Sequence, residues 1–268
     1  MKNLCEIRAD VRKNHPLIHC ITNPISIHSC ANAILAVGGR PIMAEHPGEV
    51  REITETADAL MLNLGNITDV RMESIQISLL TAKEKNIPVI LDAVGIACSA
   101  LRREYLWGLL NTAVPTIIKG NYSEINALYH KTYRSLGVDA DRALNTESVC
   151  HTARNLAQNY QCVILASGKT DIITDGTRTV YVKNGTPQLS DVTGTGCMLG
   201  ALCGTYLSAC AGLDAAVCGC TVLGICGQRA ETDKGSGSFM VNLMDALSRI
   251  TDTDIETLIN IEEDKFER

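Results

Sequence analysis

The chain is poor in aromatic residues and has no excess of positive charge. Phe, Trp and Tyr make up 4% of its 268 residues, while 21 residues are glycine, so the core is expected to pack through small side chains. The formal net charge is -6, which argues against a general binder of nucleic acids or anionic membranes, because either needs a basic face. The length and the apolar content of 46% favour one globular domain over residues 1–268.

Paired cysteine motifs and long apolar runs are also missing. None of the 12 cysteines belongs to a C-x-x-C pair or has zinc-ligand spacing, which disfavours a redox or metal store. Six of them fall within 197–226, a stretch that we interpret as buried helix, where cysteine acts as a small hydrophobe. The N-terminus has no apolar signal core, and Gly212 and Asp214 interrupt the most apolar region before it reaches the length of a membrane span. We therefore expect a cytoplasmic protein with free thiols and no membrane partner.

Short, continuous apolar runs alternate with helical patterns along much of the chain. This alternation is typical of an α/β protein with a mostly parallel sheet and helices on both faces. The predicted strands lie near 16–21, 59–65, 88–92, 116–119 and 162–166. The predicted helices lie near 26–37, 68–85, 99–111, 146–159, 197–211 and 214–231, with a short one after Asn121 and one or two over 240–262. Asp175-Gly176 separates two further strand-like runs and predicts an antiparallel edge hairpin.

Asp191-Val192-Thr193-Gly194-Thr195-Gly196-Cys197 is the most informative segment of the sequence. Gly194 and Gly196 permit a tight turn and a close approach to a ligand. The buried helix that follows directs its first N–H groups into this loop, which favours an anion. The segment therefore predicts a site for a phosphoryl group, with Cys197 as a potential base. Asp191 is either an acceptor in that site or a residue that stabilises the loop.

Several predicted strands end in polar residues. Because ligands of open α/β sheets bind beyond the carboxyl ends of the strands, these residues form a candidate site together with the glycine loop. They are Asn23, Asn63, Asp92, Lys119, Asn121 and Ser167. Glu124 follows Asn121 by three residues, which is also the pattern of a helix-capping box.

Thr193-Gly194-Thr195-Gly196-Cys197 resembles the glycine-rich signature of the ribokinase-like small-molecule kinases, most of which carry Asp as the base at the last position. Cysteine at that position resembles the vitamin-pathway branch, which includes hydroxyethylthiazole kinase and hydroxymethylpyrimidine kinase. Further segments resemble hydroxyethylthiazole kinase in particular, in order and at the family's spacing over about residues 10–245. They are His19 to Ile25, Asn32, Gly38 to Ala44, Gly120 to Ile125, and Asp175-Gly176.

The resemblance implies a ribokinase-like fold and a kinase that uses ATP and Mg²⁺. The implied substrate is the hydroxyethyl group of 4-methyl-5-(2-hydroxyethyl)thiazole in thiamine salvage, and the implied assembly is a homotrimer with active sites at subunit interfaces. The implied thiazole contacts are Asn23, Met43 and Gly194, and the implied ATP contacts are Lys119, Asn121 and Ser167. Asp92 and Glu124 would organise Mg²⁺, Gly194 and Gly196 would stabilise the transferred charge, and Cys197 would lie beside the attacking hydroxyl.

The sequence departs from the family pattern at two of these positions. Lys119 stands where the family usually has Arg, which keeps the charge but loses the bidentate fork. Ser167 stands where the family often has Thr, which keeps the hydroxyl. Two alternatives remain open: a kinase of the same fold that acts on hydroxymethylpyrimidine or a sugar, and a non-catalytic sensor of thiazole or ATP. The second is disfavoured, since a sensor needs no magnesium organiser together with a base.

Overall fold

The computed structural model describes residues 3–130 and 145–265. Its strands are β1 (Leu17–Ile21), β2 (Arg40–Ile42), β3 (Ala59–Asn63), β4 (Val89–Asp92), β5 (Ile117–Asn121), β6 (Val163–Ser167), β7 (Asp171–Thr174), β8 (Arg178–Val182) and β9 (Ile261–Lys265). Its helices are α1 (Leu4–Asn14), α2 (Ile27–Val37), α3 (Val50–Glu55), α4 (Asp69–Lys85), α5 (Ala100–Thr112), α6 (Tyr122–Tyr129), α7 (Thr146–Tyr160), α8 (Thr195–Leu207), α9 (Gly212–Ala230), α10 (Ser236–Arg249) and α11 (Asp252–Leu258).

All of these strands form one sheet in the order β2-β1-β3-β4-β5-β6-β7-β8-β9. The first six are parallel, and the last three pair antiparallel. The hairpin of β7 and β8 forms where it was predicted, because Gly176 takes a φ of 90° and the Asp175 carboxylate accepts the N–H groups of Thr177 and Arg178. The prediction of a mostly parallel sheet with antiparallel edge strands is confirmed.

Helices cover both faces of the sheet. On one face, α1, α2 and α8 to α11 enclose a core that includes Met61 and Ile90. On the other face, α3 to α7 enclose a second core that includes Leu60 and Leu91. Successive strand residues point to opposite faces, so the parallel strands are apolar on both sides, and this explains their continuous apolar sequences.

Four local predictions need correction. α8 begins at Thr195, two residues before the predicted start, so Gly196 lies in its first turn. Gly212 is the first residue of α9 rather than a break between helices. Ser26 stands at the N-cap of α2 but makes no capping hydrogen bond with its side chain. The predicted C-terminal pair of helices is present as α10 and α11, but Ile261 begins β9, which pairs outside β8 and makes β9 the outermost strand.

No helix within residues 3–130 and 145–265 is long and apolar enough to cross a membrane. All twelve cysteines are free thiols, and eight of them are buried. Buried cysteines in α8 and α9 pack as part of the core on that face of the sheet, as expected for small hydrophobes.

Candidate active site

The parallel strands end at a common edge of the sheet, and their registers bring polar residues side by side. Asn63 at the end of β3 is paired with Asp92 at the end of β4, and Asp92 is paired with Lys119 in β5. Asn23 lies just beyond the end of β1, the other neighbour of β3. Four neighbouring parallel strands, β1, β3, β4 and β5, therefore each bring a polar side chain to one row, either within the strand or just beyond its end.

These four residues form a continuous row of hydrogen bonds, which we name the strand-end ladder. Asn23 Nδ2 donates to Asn63 Oδ1 at 3.2 Å, and Asn63 Nδ2 donates to Asp92 Oδ2 at 3.2 Å. Lys119 Nζ donates to the same Asp92 oxygen at 2.8 Å and forms an ion pair with it. All four side chains are buried, so the ladder replaces the hydration that these polar groups lose.

The start of α8 lies against this ladder. Gly194 takes the left-handed conformation at φ 97° and ψ -11°, which turns the chain into the helix. The N–H groups of Thr195, Gly196 and Cys197 are the first of the helix and have no acceptor within it. Gly196 is exposed at this helix start. An anion can therefore approach these N–H groups from solvent, as the sequence predicts.

Cys197 and Lys119 join the helix start to the ladder. The side-chain amides of Asn23 and Asn63 both donate to Cys197 Sγ at 3.3 Å. Lys119 Nζ donates to the Gly196 carbonyl oxygen at 2.9 Å. The potential base, the buried cation and the candidate anion site thus lie within one hydrogen-bonded group.

Burial shifts the pKa of the charged members of the ladder. Burial raises the pKa of Asp92, and the bonds from Lys119 and Asn63 offset part of that effect. Burial alone would lower the pKa of Lys119, but the charge and hydrogen bond of Asp92, together with the charges of Cys197 and Glu124, outweigh burial and raise it. Lys119 is therefore held as a cation. Asp92 Oδ1 is buried and has no hydrogen-bond partner among the described residues.

Glu124 lies in the first turn of α6 and closes a capping box with Asn121. Asn121 Oδ1 accepts the Glu124 N–H at 2.9 Å, and Glu124 Oε2 accepts the Asn121 N–H at 2.7 Å. Its other oxygen accepts the Gly95 N–H at 2.7 Å. Burial and the nearby Asp92 charge raise the pKa of Glu124 to about 7, although the Gly95 bond opposes the shift. The capping pattern read from the sequence is present.

The carboxylates fit a hydrated magnesium ion rather than an ion enclosed by protein ligands. Within the described ranges, no group of three or more His, Cys, Asp or Glu side chains is arranged to hold a metal ion. Magnesium that arrives with a nucleotide keeps several waters and needs only one or two carboxylates. The unpartnered Asp92 Oδ1 is suited to that contact, and each Glu124 oxygen accepts one N–H and retains a further lone pair.

The remaining predicted residues lie around this centre. Asn121 and Ser167 are register partners at the ends of β5 and β6, and Ser167 Oγ donates to the Gly120 carbonyl at 3.3 Å. Met43 follows β2 and is half-buried against the core of α2 and α8. The residue after it, Ala44, is tied to β1 because buried His19 contacts the Ala44 carbonyl oxygen through Nε2 at 2.9 Å. The ladder contacts do not include Met43 or Ser167.

The structure describes the surroundings of Asp191 and Asn63, two residues whose roles the sequence leaves general. Asp191 ends a 3₁₀ turn, Pro187–Asp191, and is exposed. Asn63 was noted only as one polar strand end, yet it contacts Asn23, Asp92 and Cys197. The sequence signal for a site residue is a polar side chain that ends an apolar run two residues before Gly65, whereas the contacts of Asn63 follow from the register of β3 with β4.

Solved structures with the same architecture are known. The pyridoxal kinase of Staphylococcus aureus, solved in complex with AMP-PCP and pyridoxal, has a TM-score of 0.65 at 14% identity, with 94% of this chain and 99% of that chain covered. A hydroxyethylthiazole kinase structure from Pyrococcus horikoshii has a TM-score of 0.91 at 32% identity, with 99% and 100% covered. The chain has the ribokinase-like fold, and its likeness to the hydroxyethylthiazole kinase structure indicates the kinase class.

The sequence comparisons are more specific. The Hydroxyethylthiazole kinase family matches residues 9–253. Hydroxyethylthiazole kinase 2 of Clostridium botulinum is 43% identical over 261 residues, which cover 96% of this chain and 98% of the relative. The hydroxyethylthiazole kinase of Finegoldia magna is 39% identical over 250 residues, which cover 93% and 92%. This chain belongs to the hydroxyethylthiazole kinase family.

Proposed function

We propose that this kinase transfers the γ-phosphoryl group of ATP to the hydroxyl of 4-methyl-5-(2-hydroxyethyl)thiazole, and that it serves thiamine salvage. The observation that carries the proposal is that the strand-end ladder is hydrogen-bonded to Cys197 and Gly196 at the exposed start of α8. Membership of the family supplies the substrate class. ATP is the co-substrate, and Mg²⁺ bound with it would neutralise phosphate charge beside Asp92 and Glu124.

On the phosphate side, the chain offers a cation and a row of N–H donors. The Lys119 ammonium has three donors and uses two of them on Asp92 and Gly196, so we assign the third to a phosphate oxygen. The N–H groups at Gly194 and Gly196 and the start of α8 would stabilise the charge on the transferred group. Asn121 and Ser167, at the neighbouring strand ends, are proposed as further ATP contacts.

On the acceptor side, the thiol of Cys197 is proposed to lie beside the attacking hydroxyl. Asn23 and Met43 would hold the thiazole, together with the backbone of Gly194. Phosphoryl transfer through a loose transition state needs little base strength. Cys197 is therefore assigned to orient the hydroxyl and to take its proton late in the reaction.

The experiment is a product-mass assay with purified protein, ATP and Mg²⁺. Hydroxyethylthiazole, hydroxymethylpyrimidine and ribose are supplied one at a time. We expect the thiazole alone to gain one phosphoryl group. Phosphorylation of the pyrimidine or the sugar instead would refute the substrate assignment, and no product from any alcohol would refute the proposed reaction.

Cys197→Ala tests the role of the thiol in the same assay. We expect turnover to fall by a factor on the order of 10²–10⁴, the usual contribution of a general base. Cys98→Ala is the matched control, because Cys98 is the exposed cysteine of the chain and lies outside the ladder. Equal turnover of the two variants would remove Cys197 from the mechanism.

We further propose a homotrimer with active sites at subunit interfaces, in a reducing compartment such as the cytoplasm. Ile25 supports the first proposal, because this large apolar side chain is 67% exposed two residues after Asn23, where a second copy would cover it. The twelve free thiols support the second. Light scattering on the purified protein tests the assembly, and a monomeric mass with full activity would refute it.

A further inference from the structure

Asn63 is bonded on both sides of its side-chain amide. Its Oδ1 accepts the Gly65 N–H at 2.8 Å and Asn23 Nδ2 at 3.2 Å. Its Nδ2 donates to Asp92 Oδ2 at 3.2 Å and to Cys197 Sγ at 3.3 Å. The side chain is fully buried, so these four contacts replace all of its contacts with water.

The orientation of this amide is fixed by the chemistry of its neighbours. A flipped amide would turn its oxygen toward the Asp92 carboxylate, which is also an acceptor. It would turn its NH₂ group toward the Gly65 N–H, which is also a donor, so both contacts would be repulsive. Lys119 holds the Asp92 oxygen at 2.8 Å, and the tight turn at Gly65 holds the opposite side. A side chain at residue 65 is also excluded, because a Cβ there would lie 2.7 Å from Asn63 Oδ1.

We propose that Asn63 is a positioning residue that uses the Asp92–Lys119 ion pair and the Gly65 turn to hold Cys197 and Asn23 toward the acceptor alcohol. The position of the alcohol in this inference rests on the proposed function. The contacts around the Cys197 thiol do not depend on it. Asn63 links the phosphate side of the site to the acceptor side. Loss of its amide removes one of the two amide donors to Cys197 Sγ and the acceptor of Asn23 Nδ2, and it leaves the ion pair in place.

A chemical test of the thiol does not require kinase activity. Asn63→Leu keeps the approximate shape of the side chain and removes the N–H donor to Cys197 Sγ without adding a charge beside Asp92. Alkylation by iodoacetamide at a fixed neutral pH, read by peptide mass, compares Cys197 with the exposed Cys98 in the same molecule. We expect the ratio of the Cys197 rate to the Cys98 rate to fall by about fivefold or more. An unchanged ratio in the folded variant overturns the proposal.

A double-mutant cycle tests whether Asn63 acts through Cys197. We expect Asn63→Ala to lower kcat by roughly tenfold or more in the parent chain and by less than about twofold when added to Cys197→Ala. Its effect through Asn23 should appear as a higher KM for the alcohol with little change in KM for ATP. Equal loss of kcat in both backgrounds, or an equal rise of both KM values, overturns the proposal.

Asn184→Ala is the matched structural control. Asn184 is also buried, and its amide contacts Gln228, the Leu258 carbonyl and the Asn260 N–H, all outside the ladder. The Asn184→Ala change is expected to lower the melting temperature without changing the alkylation ratio, kcat or KM. A change as large as that of the Asn63 variants would reduce Asn63 to a stabilising residue. If the parent protein phosphorylates none of the three alcohols, the proposed function fails, while the alkylation ratio still decides the position of Asn63.

Discussion

The strand-end ladder and the outer antiparallel strands both place polar pairs across neighbouring strands, yet they differ in burial. In the ladder, Lys119 and Asp92 are 5% and 0% exposed. At the outer edge, Lys183, which directly follows β8, and Glu262 in β9 are 43% and 61% exposed. Water screens the exposed pair, so its interaction is weak. Burial removes this screening from the pair of Lys119 and Asp92 and shifts the pKa of both groups.

The comparison separates two uses of the same chemical groups. Charged side chains on an edge strand discourage pairing with other chains, and this suits the acidic strand β9, whose sequence includes Glu262, Glu263 and Asp264. Charged side chains buried at the carboxyl edge of a parallel sheet make a preorganised polar site. Changes in the ladder are therefore expected to affect stability and turnover together, and changes at β9 to affect neither strongly.

The largest expected effect comes from breaking the buried ion pair on one side. Asp92→Asn leaves the Lys119 cation buried without its counter-charge, which costs about 3–5 kcal/mol of stability. Urea unfolding measures this loss, and activity should disappear with it. The double variant Asp92→Asn with Lys119→Met is the control, since it removes the charge and should recover much of the stability without activity. Equal stability of the single variant and the parent would contradict the ion pair.

Glu124 provides the next effect, which depends on pH. Its pKa of about 7 in the folded protein lies above the usual 4.5, so the folded state binds more protons between these values. The contribution of Glu124 to the free energy of unfolding should therefore be greatest below pH 4.5. It should fall by a total of roughly 3 kcal/mol as the pH rises through 7.

Glu124→Gln isolates this contribution from that of other titrating groups. Asp92 and Lys119 also face Glu124 electrostatically, but they are present in both proteins. The difference in unfolding free energy between the parent and the variant should change steadily between pH 4.5 and 8. A constant difference across this range would show that Glu124 does not titrate there.

The two glycines at the start of α8 give a smaller effect, and only the change at Gly194 is expected to reduce stability. At Gly194 an alanine would be strained by the φ of 97° and would bring Cβ to 3.3 Å from Ser26 Cβ, so Gly194→Ala should cost about 1–3 kcal/mol. At Gly196 the nearest atom is Lys119 Nζ at 3.7 Å, and no positive φ is required. Gly196→Ala should therefore be neutral or stabilising by up to about 1 kcal/mol.

Both glycine variants are measured by thermal unfolding and by the kinase assay. A methyl group at either position lies at the start of α8, so both should lower turnover with ATP. Stability separates them: if Gly196→Ala destabilises as much as Gly194→Ala, the turn is not made by Gly194 alone.

The sequence was informative where one residue type decides the local structure. The apolar runs of β1, β3 and β4 predict buried parallel strands, and Asp175-Gly176 predicts its hairpin. β9 was not predicted, because Ile261 is followed by Glu-Glu-Asp-Lys, and only pairing with β8 makes this segment a strand. The short strand β2 has three residues, one of which is Pro41, and gives no clear pattern.

The site could be predicted as a set of residues but not as a network. Strand ends identify Asn23, Asp92 and Lys119, since the polar residue follows an apolar run. Asn63 joins Asn23 to Asp92 because of the register of β3 and β4 and the depth at which α8 packs. No local sequence pattern specifies either of these. The contacts of Met43 and Ser167 with substrates, the metal role of Asp92 and Glu124, and the single domain over residues 1–268 stay predictions.

The smallest effect is expected at the outer strands, and it completes the comparison. Lys183 Nζ and Glu262 Oε2 are 2.5 Å apart, but both side chains are largely in water, so Glu262→Gln should change stability by no more than about 1 kcal/mol. Any change should shrink further at high salt, because exposed pairs are screened. Thermal unfolding at low and high salt measures it, and kinase turnover should match the parent. A loss comparable to that of Asp92→Asn would mean that burial is not what distinguishes the two regions.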